Sequence, residues 1–347
     1  MGGIGLFLLL RYYRLGFLAA LTVAFGLGAV SYMFWKAGLP LLPSSVVRKH
    51  SIASQVVEGK KLLDPIFRLI DKYEATFCLN DYASRWMIMF NFTLFILILA
   101  VFFLKGDLKR YRTFWIVSGI ILIMHQLFGF YNSMGRHEVY AVASMLMSLF
   151  SILPRMKKFL YSKILEVFLT VLMLIIAFPY LHKVITTPLA SADIYTQQHQ
   201  MHRFATEFFP HPVAINDLGW VSFRNHSYVL DLFGLGSYEI TRMYTQEGWN
   251  PKEVQKIAQK HGVVYAMIYR HWFEVLPDDW CLMGILKNKR IISGGHLVHF
   301  YLLKPEYRQE MQEALKKWAK TLPDGTKFYP VDCLPDSQRH TIEAEIR

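Results

Sequence analysis

The sequence predicts two unlike parts: an α-helical polytopic membrane domain of about five transmembrane helices over residues 1–181, then a soluble α/β domain with a mainly parallel sheet over residues 182–347. Three observations carry this. Five apolar runs lie before His182, and the whole chain is 53% apolar, too much for two water-soluble domains of ordinary size. The formal net charge of +12 divides as +11 over residues 1–181 and +1 over residues 182–347, so the excess cations flank the apolar runs. After His182 the composition becomes ordinary, and short β-branched and aromatic runs alternate with a capped helical segment.

Cations placed beside apolar segments report on orientation and lipid contact. A nucleic-acid footprint would put a basic stripe on the soluble half; that half is almost neutral, and nucleic acid is excluded as a partner.

Met1–Leu10 is short and apolar, and it ends at Arg11 and Arg14 with no small-residue cleavage site, so it reads as the tail of a helix whose beginning is absent. Leu15–Trp35 is uncharged and long enough for a bilayer, which needs about 20 residues. The loop 36–85 is polar and of mixed charge. Within it Val56, Leu63, Ile66, Phe67, Ile70, Tyr73 and Phe77 recur near a helical period, which suits a helix lying in the membrane surface or packed on the following domain. Further spans are read at Trp86–Leu104, Thr113–Ser133, Val139–Leu153 and Ile164–Leu181. The basic connections Lys105–Arg112 and Arg155–Lys163, with Arg11 and Arg14, belong in the cytoplasm by the positive-inside rule. Five spans then make a multi-pass cell-membrane protein whose loop 36–85, Arg136 turn and C-terminal domain are extracytoplasmic, periplasmic in a bacterium. No internal repeat of the kind transporters carry is visible.

In the C-terminal half Pro212–Asn216, Tyr228–Leu232, Val263–Tyr269 and Leu297–Leu303 read as strands. Pro251–His261 reads as a helix with Asn250 as N-cap and Gly262 just past its end. Pro305–Lys320 is a final helix before an irregular tail. Cys281 and Cys333 share this half; outside the cytoplasm they have the chemistry for a disulfide, and two separate thiols are the favoured reading.

Asp217 and Asp231 fall near the ends of predicted strands, where α/β domains bind ligands, and where a carboxylate also caps a following helix. Gly234–Gly236 lacks the spacing of a dinucleotide loop. His199 and His202 can share a helical face but fall short of the three or four ligands zinc needs; His296 and His299 fall on opposite faces of a strand. No metal and no cofactor is expected. Hydrolase, zincin and P-loop motifs are lacking.

The richest cluster is Arg136–His137–Glu138, set between two apolar runs. A charge near hydrocarbon costs roughly 2.5–3.5 kcal/mol on insertion scales, so such groups face a polar cavity, snorkel, or sit in a wet turn. Arg48, Lys49 and Arg136 share the outer side. An Arg fork suits phosphate, and a neighbouring His either donates or stays neutral, so these residues form a candidate cradle for a phosphorylated lipid head group; snorkelling cations at helix ends are the alternative.

Three stretches carry a family resemblance: LPSSVVRK (Leu42–Lys49), GFYNSMGRHEVY (Gly129–Tyr140) and VAINDLGWVSF with VLDLFGL (Val213–Phe223 and Val229–Leu235). In that order the chain resembles the C-terminal part of GT-C-type polytopic membrane glycosyltransferases, the superfamily of protein mannosyltransferases and arabinofuranosyltransferases. The resemblance implies transfer of a sugar from a polyprenyl-phosphate-linked donor to an extracytoplasmic glycan or lipid acceptor. It places Arg136 on the lipid phosphate, with His137, Glu138, Lys49 and Arg48 nearby. Such enzymes carry an acidic pair on the first outer loop, and this chain has none. Glu58, Asp64, Asp71, Glu74 and Asp81 alternate with cations instead, so no catalytic base is assigned. The resemblance therefore implies a fragment lacking the catalytic N-terminal half. The alternative is a non-catalytic accessory or glycan-binding membrane protein partnered by another polytopic membrane chain.

Overall fold

The computed structural model describes residues 12–37, 82–103, 109–128, 138–152, 163–246, 248–289 and 293–346. They divide into two compact units, with the boundary between Val184 and Ile185.

The first unit is helical: α1 (Tyr13–Lys36), α2 (Tyr82–Phe103), α3 (Lys109–Phe128), α4 (Val139–Ile152) and the opening turns of α5 (Lys163–Thr196). Helices α2, α3 and α4 pack around Phe90, Leu97, Trp115, Leu122, Ala141 and Met145. The Trp115 indole donates to Ser151 Oγ at 2.6 Å, tying α3 to α4.

The expectation of five spans is corrected here. Among the described residues one helix, α1, is long and apolar enough to cross a membrane. With 14 residues, α4 reaches about 21 Å, against a hydrocarbon core of about 30 Å. Among the described side chains of α2, the apolar stretch Ile88–Ile98 is shorter than a span needs. Helix α3 opens with Lys109, Arg110 and Arg112 and buries His125 and Gln126 near its end. Thr93, Ser118, Glu138 and Ser148 are buried as well. An apolar run in sequence records burial, and helix against helix satisfies it as well as lipid does. Met1–Leu10, the loop segment with Arg48 and Lys49, the periodic stretch from Val56 to Phe77, and residues 105–108 and 155–162 of the basic connections lie outside the described residues.

The second unit is built on a six-stranded sheet in the order β2-β1-β3-β5-β4-β6. The strands are β1 (Val213–Ile215), β2 (Val229–Asp231), β3 (Tyr265–Ile268), β4 (Cys281–Lys287), β5 (Leu297–Leu302) and β6 (Lys327–Pro335). The expectation of a mainly parallel sheet is also corrected. Only β1 pairs in parallel, with β2 and β3, while β3–β5, β5–β4 and β4–β6 are antiparallel. A parallel pairing needs a crossover of a dozen or more residues. Helices α8 (Tyr238–Gln246) and α9 (Pro251–Lys260) supply one between β2 and β3, and the short connection from β4 to β5 allows only a hairpin.

Strands β4 and β6 carried no period-2 signal. Residues of β4 are buried on both faces, so it lacks alternation. Pro330 and Pro335 make β6 read as irregular, which an edge strand tolerates. The register shifts between Leu282 and Gly284, and a Cβ on Gly284 would lie 2.2 Å from Phe328 Cζ, so the missing side chain is what lets β6 close on β4.

Helix α9 starts and stops as its sequence predicts. Asn250 accepts from the backbone N–H groups of Lys252 and Glu253, Pro251 takes the first position, and Gly262 turns out of the helix with φ +66°. Side chains of β3 alternate across the sheet. Tyr265 and Met267 join Phe204, Phe300 and Trp318 on one face, while Ala266 and Ile268 join Trp280, Leu282 and Tyr301 on the other. Helix α10 (Arg308–Ala319) covers the first face through Met311, Leu315 and Trp318. Helix α11 (Arg339–Ile346) is held by partly buried polar contacts. Arg270 and Arg339 share Asp336 at 2.7 and 2.9 Å, and His299 meets Glu343 at 2.8 Å.

Cys281 and Cys333 form a disulfide joining β4 to β6, with Cα atoms 5.0 Å apart. The reading of two separate thiols is thus corrected.

Candidate functional site

Strand β1 sends its chain to β2 on one side, and β3 sends its chain toward β5 and β4 on the other. The C-terminal ends of β1 and β3 therefore flank a topological switch point, the place where a crevice opens in α/β sheets. Four segments meet there: Asn216–Trp220 after β1, Tyr269–Trp272 after β3, the end of α5 with the short helix α6 (Gln198–Arg203), and the connection from β4 to β5.

The floor is a buried polar network centred on Tyr269. Its hydroxyl donates to Gln197 Oε1 at 2.6 Å and accepts from Gln198 Nε2 at 3.0 Å. Gln197 Nε2 donates to Asn288 Oδ1 and to the Gly295 carbonyl, each at 2.8 Å. Asp193 accepts from Asn288 Nδ2 at 2.6 Å and from the Ser293 backbone at 2.8 Å. Asn216 Oδ1 accepts from the Tyr269 backbone N–H at 3.0 Å. Burial, with the charge of Asp217 behind it, holds the Tyr269 hydroxyl well above its usual range, so it stays a neutral donor.

Asp217 stands at the mouth. Its Oδ2 accepts one bond, from Gln198 Nε2 at 3.2 Å, and no cation pairs with it among the described residues. It does not cap the short helix α7 (Gly219–Ser222), which has no side-chain cap. Gln198 Oε1 and Asn216 Nδ2, an acceptor and a donor, are buried without a protein partner.

Indole rings frame the crevice. Trp220 is 42% exposed and meets His199 edge-on at 5.5 Å; Trp272 is 41% exposed and leans on Phe233 and Tyr269. Gly294 and Gly295 are required by the approach of these rings. A Cβ on Gly294 would lie 2.7 Å from Tyr269 and 2.8 Å from Trp272, and one on Gly295 2.7 Å from His271. Burial first, then the neighbouring His202 and Arg203, lowers the pKa of His199 and favours its neutral form.

The sequence-predicted residues are distributed unevenly. His199 and His202 share a face, their rings 6.3 Å apart, and no third metal ligand joins them among the described residues. Asp231 accepts from the backbone N–H groups of Phe233, Leu235 and Gly236, which makes it the organiser of its own turn. His299 is buried against Glu343. Glu138 is fully buried at the head of α4, where Tyr140 OH and His125 Nδ1 lie 2.7 Å apart. Arg136, His137, Arg48 and Lys49 lie outside the described residues.

Sequence reasoning passed over Gln197, Gln198, Tyr269, Trp272 and Asn288. The hydrogen bonds of Gln197, Gln198, Tyr269 and Asn288 that build the floor join positions 71 to 98 apart. The glutamine run Gln197–Gln198 and the paired glycines Gly294–Gly295 were the only local signals of this arrangement.

Residues 192–301 match the model of a domain of unknown function (DUF8728). That span runs from the last turn of α5 into β5 and takes in every crevice residue named above. No curated protein and no solved structure matches the chain.

Proposed function

We propose that the second unit recognises a saccharide at the switch-point crevice, as the binding module of a membrane-associated accessory protein. The observation that carries this reading is Asp217, a half-buried carboxylate with one neutral hydrogen-bond donor, three residues before the exposed Trp220 and joined through Gln198 to Tyr269, on which the exposed Trp272 leans. A sugar offers hydroxyls that both donate and accept, and an apolar C–H face that lies on an aromatic ring. The unpartnered acceptor on Gln198 and donor on Asn216 suit a hydroxyl or a bridging water behind the carboxylate. An unneutralised Asp217 disfavours anionic ligands. The Cys281–Cys333 disulfide supports a location outside the cytoplasm, where such bonds persist.

Titration calorimetry of the full chain against a panel of neutral oligosaccharides tests this. Asp217→Asn removes a charge-assisted bond of about 1.5–3 kcal/mol and lowers affinity roughly 10- to 100-fold. Trp220→Ala lowers it as well. Unchanged affinity in both variants refutes the reading.

A second reading, sugar transfer from a polyprenyl-phosphate donor, is supported by the family resemblance and by the burial of Glu138 at the head of α4. On this reading a separate membrane chain supplies the catalytic acid and co-purifies, and Arg136→Ala abolishes turnover of the complex. Equal turnover removes Arg136 from the mechanism.

A further inference from the structure

The chain and its crevice carry charge of opposite sign. Formal net charge is +12, yet carboxylates govern the crevice floor. Asp193, 2% exposed, lies inside the polar network, and its charge and that of Asp217 both act on the Tyr269 hydroxyl. The two arginines of the converging segments are committed elsewhere: Arg203 pairs with Glu207 at 3.3 Å and Arg270 with Asp336 at 2.7 Å. Lys289, in the connection from β4 to β5, is exposed. His199 favours its neutral form and brings no fixed positive charge.

The hydrogen-bond inventory has the same bias toward acceptors. Among the described residues Asp217 accepts one bond, although an ionised carboxylate offers about four acceptor sites. Gln198 is 4% exposed, and its Nε2 donates to Asp217 Oδ2 and to the Tyr269 hydroxyl, while Oε1 of the same amide has no protein partner among the described residues. Covalent geometry therefore sets a bare acceptor beside the carboxylate. An ammonium group brings three donors and no acceptor; a hydroxyl brings one donor. Hydrogen bonds to an ionised partner are also roughly twice as strong as neutral ones. Trp220, three residues after Asp217, adds an exposed indole, whose face attracts an ammonium group and an apolar sugar face alike. Asn216 Nδ2, the bare donor of the floor, suits a sugar hydroxyl oxygen.

We infer that the crevice takes a saccharide carrying a free amino group, with the ammonium bonded to Asp217 and to Gln198 Oε1. The inference rests on the saccharide reading of this site and specifies the charge of its ligand.

The test is titration calorimetry of the full chain with gluco- and galacto-configured trisaccharides in three forms, bearing a hydroxyl, a protonated amino or an acetamido group at the same ring carbon. The amino form is expected to bind roughly tenfold more tightly than the hydroxyl form, the step from a neutral to a charge-assisted bond. Added salt should shrink that advantage by screening while leaving the hydroxyl form's affinity in place. Asp217→Asn should bring the ratio of the two affinities to about one, and Asp324→Asn, which removes an exposed carboxylate from the turn before β6, should leave the ratio unchanged. Equal affinity of the amino and hydroxyl forms in the parent protein overturns the inference and leaves the saccharide reading standing. An amino advantage that ignores salt or survives Asp217→Asn overturns it as well, by removing Asp217 from the contact. Absence of binding by every form refutes the saccharide reading, and this inference with it.

Discussion

The hydroxyl of Tyr269 lies 3.0 Å from Gln198 Nε2, a bond that joins two residues 71 positions apart and fixes α6 to the end of β3. Around that bond the two crevice walls keep their spacing. Tyr269→Phe leaves Gln197 Oε1 without its donor and Gln198 Nε2 without one of its two acceptors in a buried site, where an unmade bond costs about 1–3 kcal/mol. Thermal unfolding of the second unit is expected at a lower midpoint, with the trypsin cleavage pattern of the folded state unchanged. An unaltered midpoint would show that the network is not closed in solution.

The disulfide closes a loop of sequence separation 52, worth about 4 kcal/mol on the chain-entropy account. Cys281→Ser with Cys333→Ser is expected to lower the denaturant midpoint substantially, and reductant to have the same effect on the parent protein. If reductant leaves the midpoint in place, the cysteines are separate thiols in the isolated protein.

Acid should loosen the C-terminal helix. The His299 hydrogen bond, working against burial, holds the Glu343 carboxyl below its ordinary 4.5. Burial raises the Asp336 carboxyl, and the bonds from Arg270 and Tyr301 more than offset this, leaving it below 3.8. A depressed folded-state value means that both groups stabilise the fold above those ordinary values and lose that contribution as pH falls through the lower, folded ones. Denaturation curves of the parent and of Glu343→Gln should therefore differ at pH 7 and converge as pH drops below about 4. A constant gap across that range would remove Glu343 from the linkage.

Gly284→Ala forces a methyl group onto Phe328, and overpacking of this kind costs about 1–3 kcal/mol. Phe328→Leu in the same chain is expected to recover part of the loss. A double-mutant cycle with no coupling would show that β4 and β6 do not approach as described.

Much of the local structure was legible in the letters. Helices α1 to α5 each overlap an apolar run, β1, β2, β3 and β5 fall inside the four β-branched and aromatic runs, and α9 is bounded by Asn250 and Gly262 as written. These signals are local. Period, cap and turn chemistry act within a few residues, so a one-dimensional reading captures them.

Partners and directions were decided by the tertiary structure. The letters from Val139 to Ile152 mark an apolar helix, but only its packing on α2 and α3 says that another helix covers it, because lipid and protein interior make the same demand on side chains. Strand β5 is legible, yet its direction came from β4, whose buried faces erase the period-2 pattern. Cys281 meets Cys333, Asp217 meets Gln198, and Tyr269 meets Gln197 only after the crossover through α8 and α9 has set β3 beside β1. The sequence by itself determined where helices and strands form, since those choices are made by neighbours along the chain. The sheet order, the crevice and its chemistry were decided by contacts between distant residues, which no local pattern encodes.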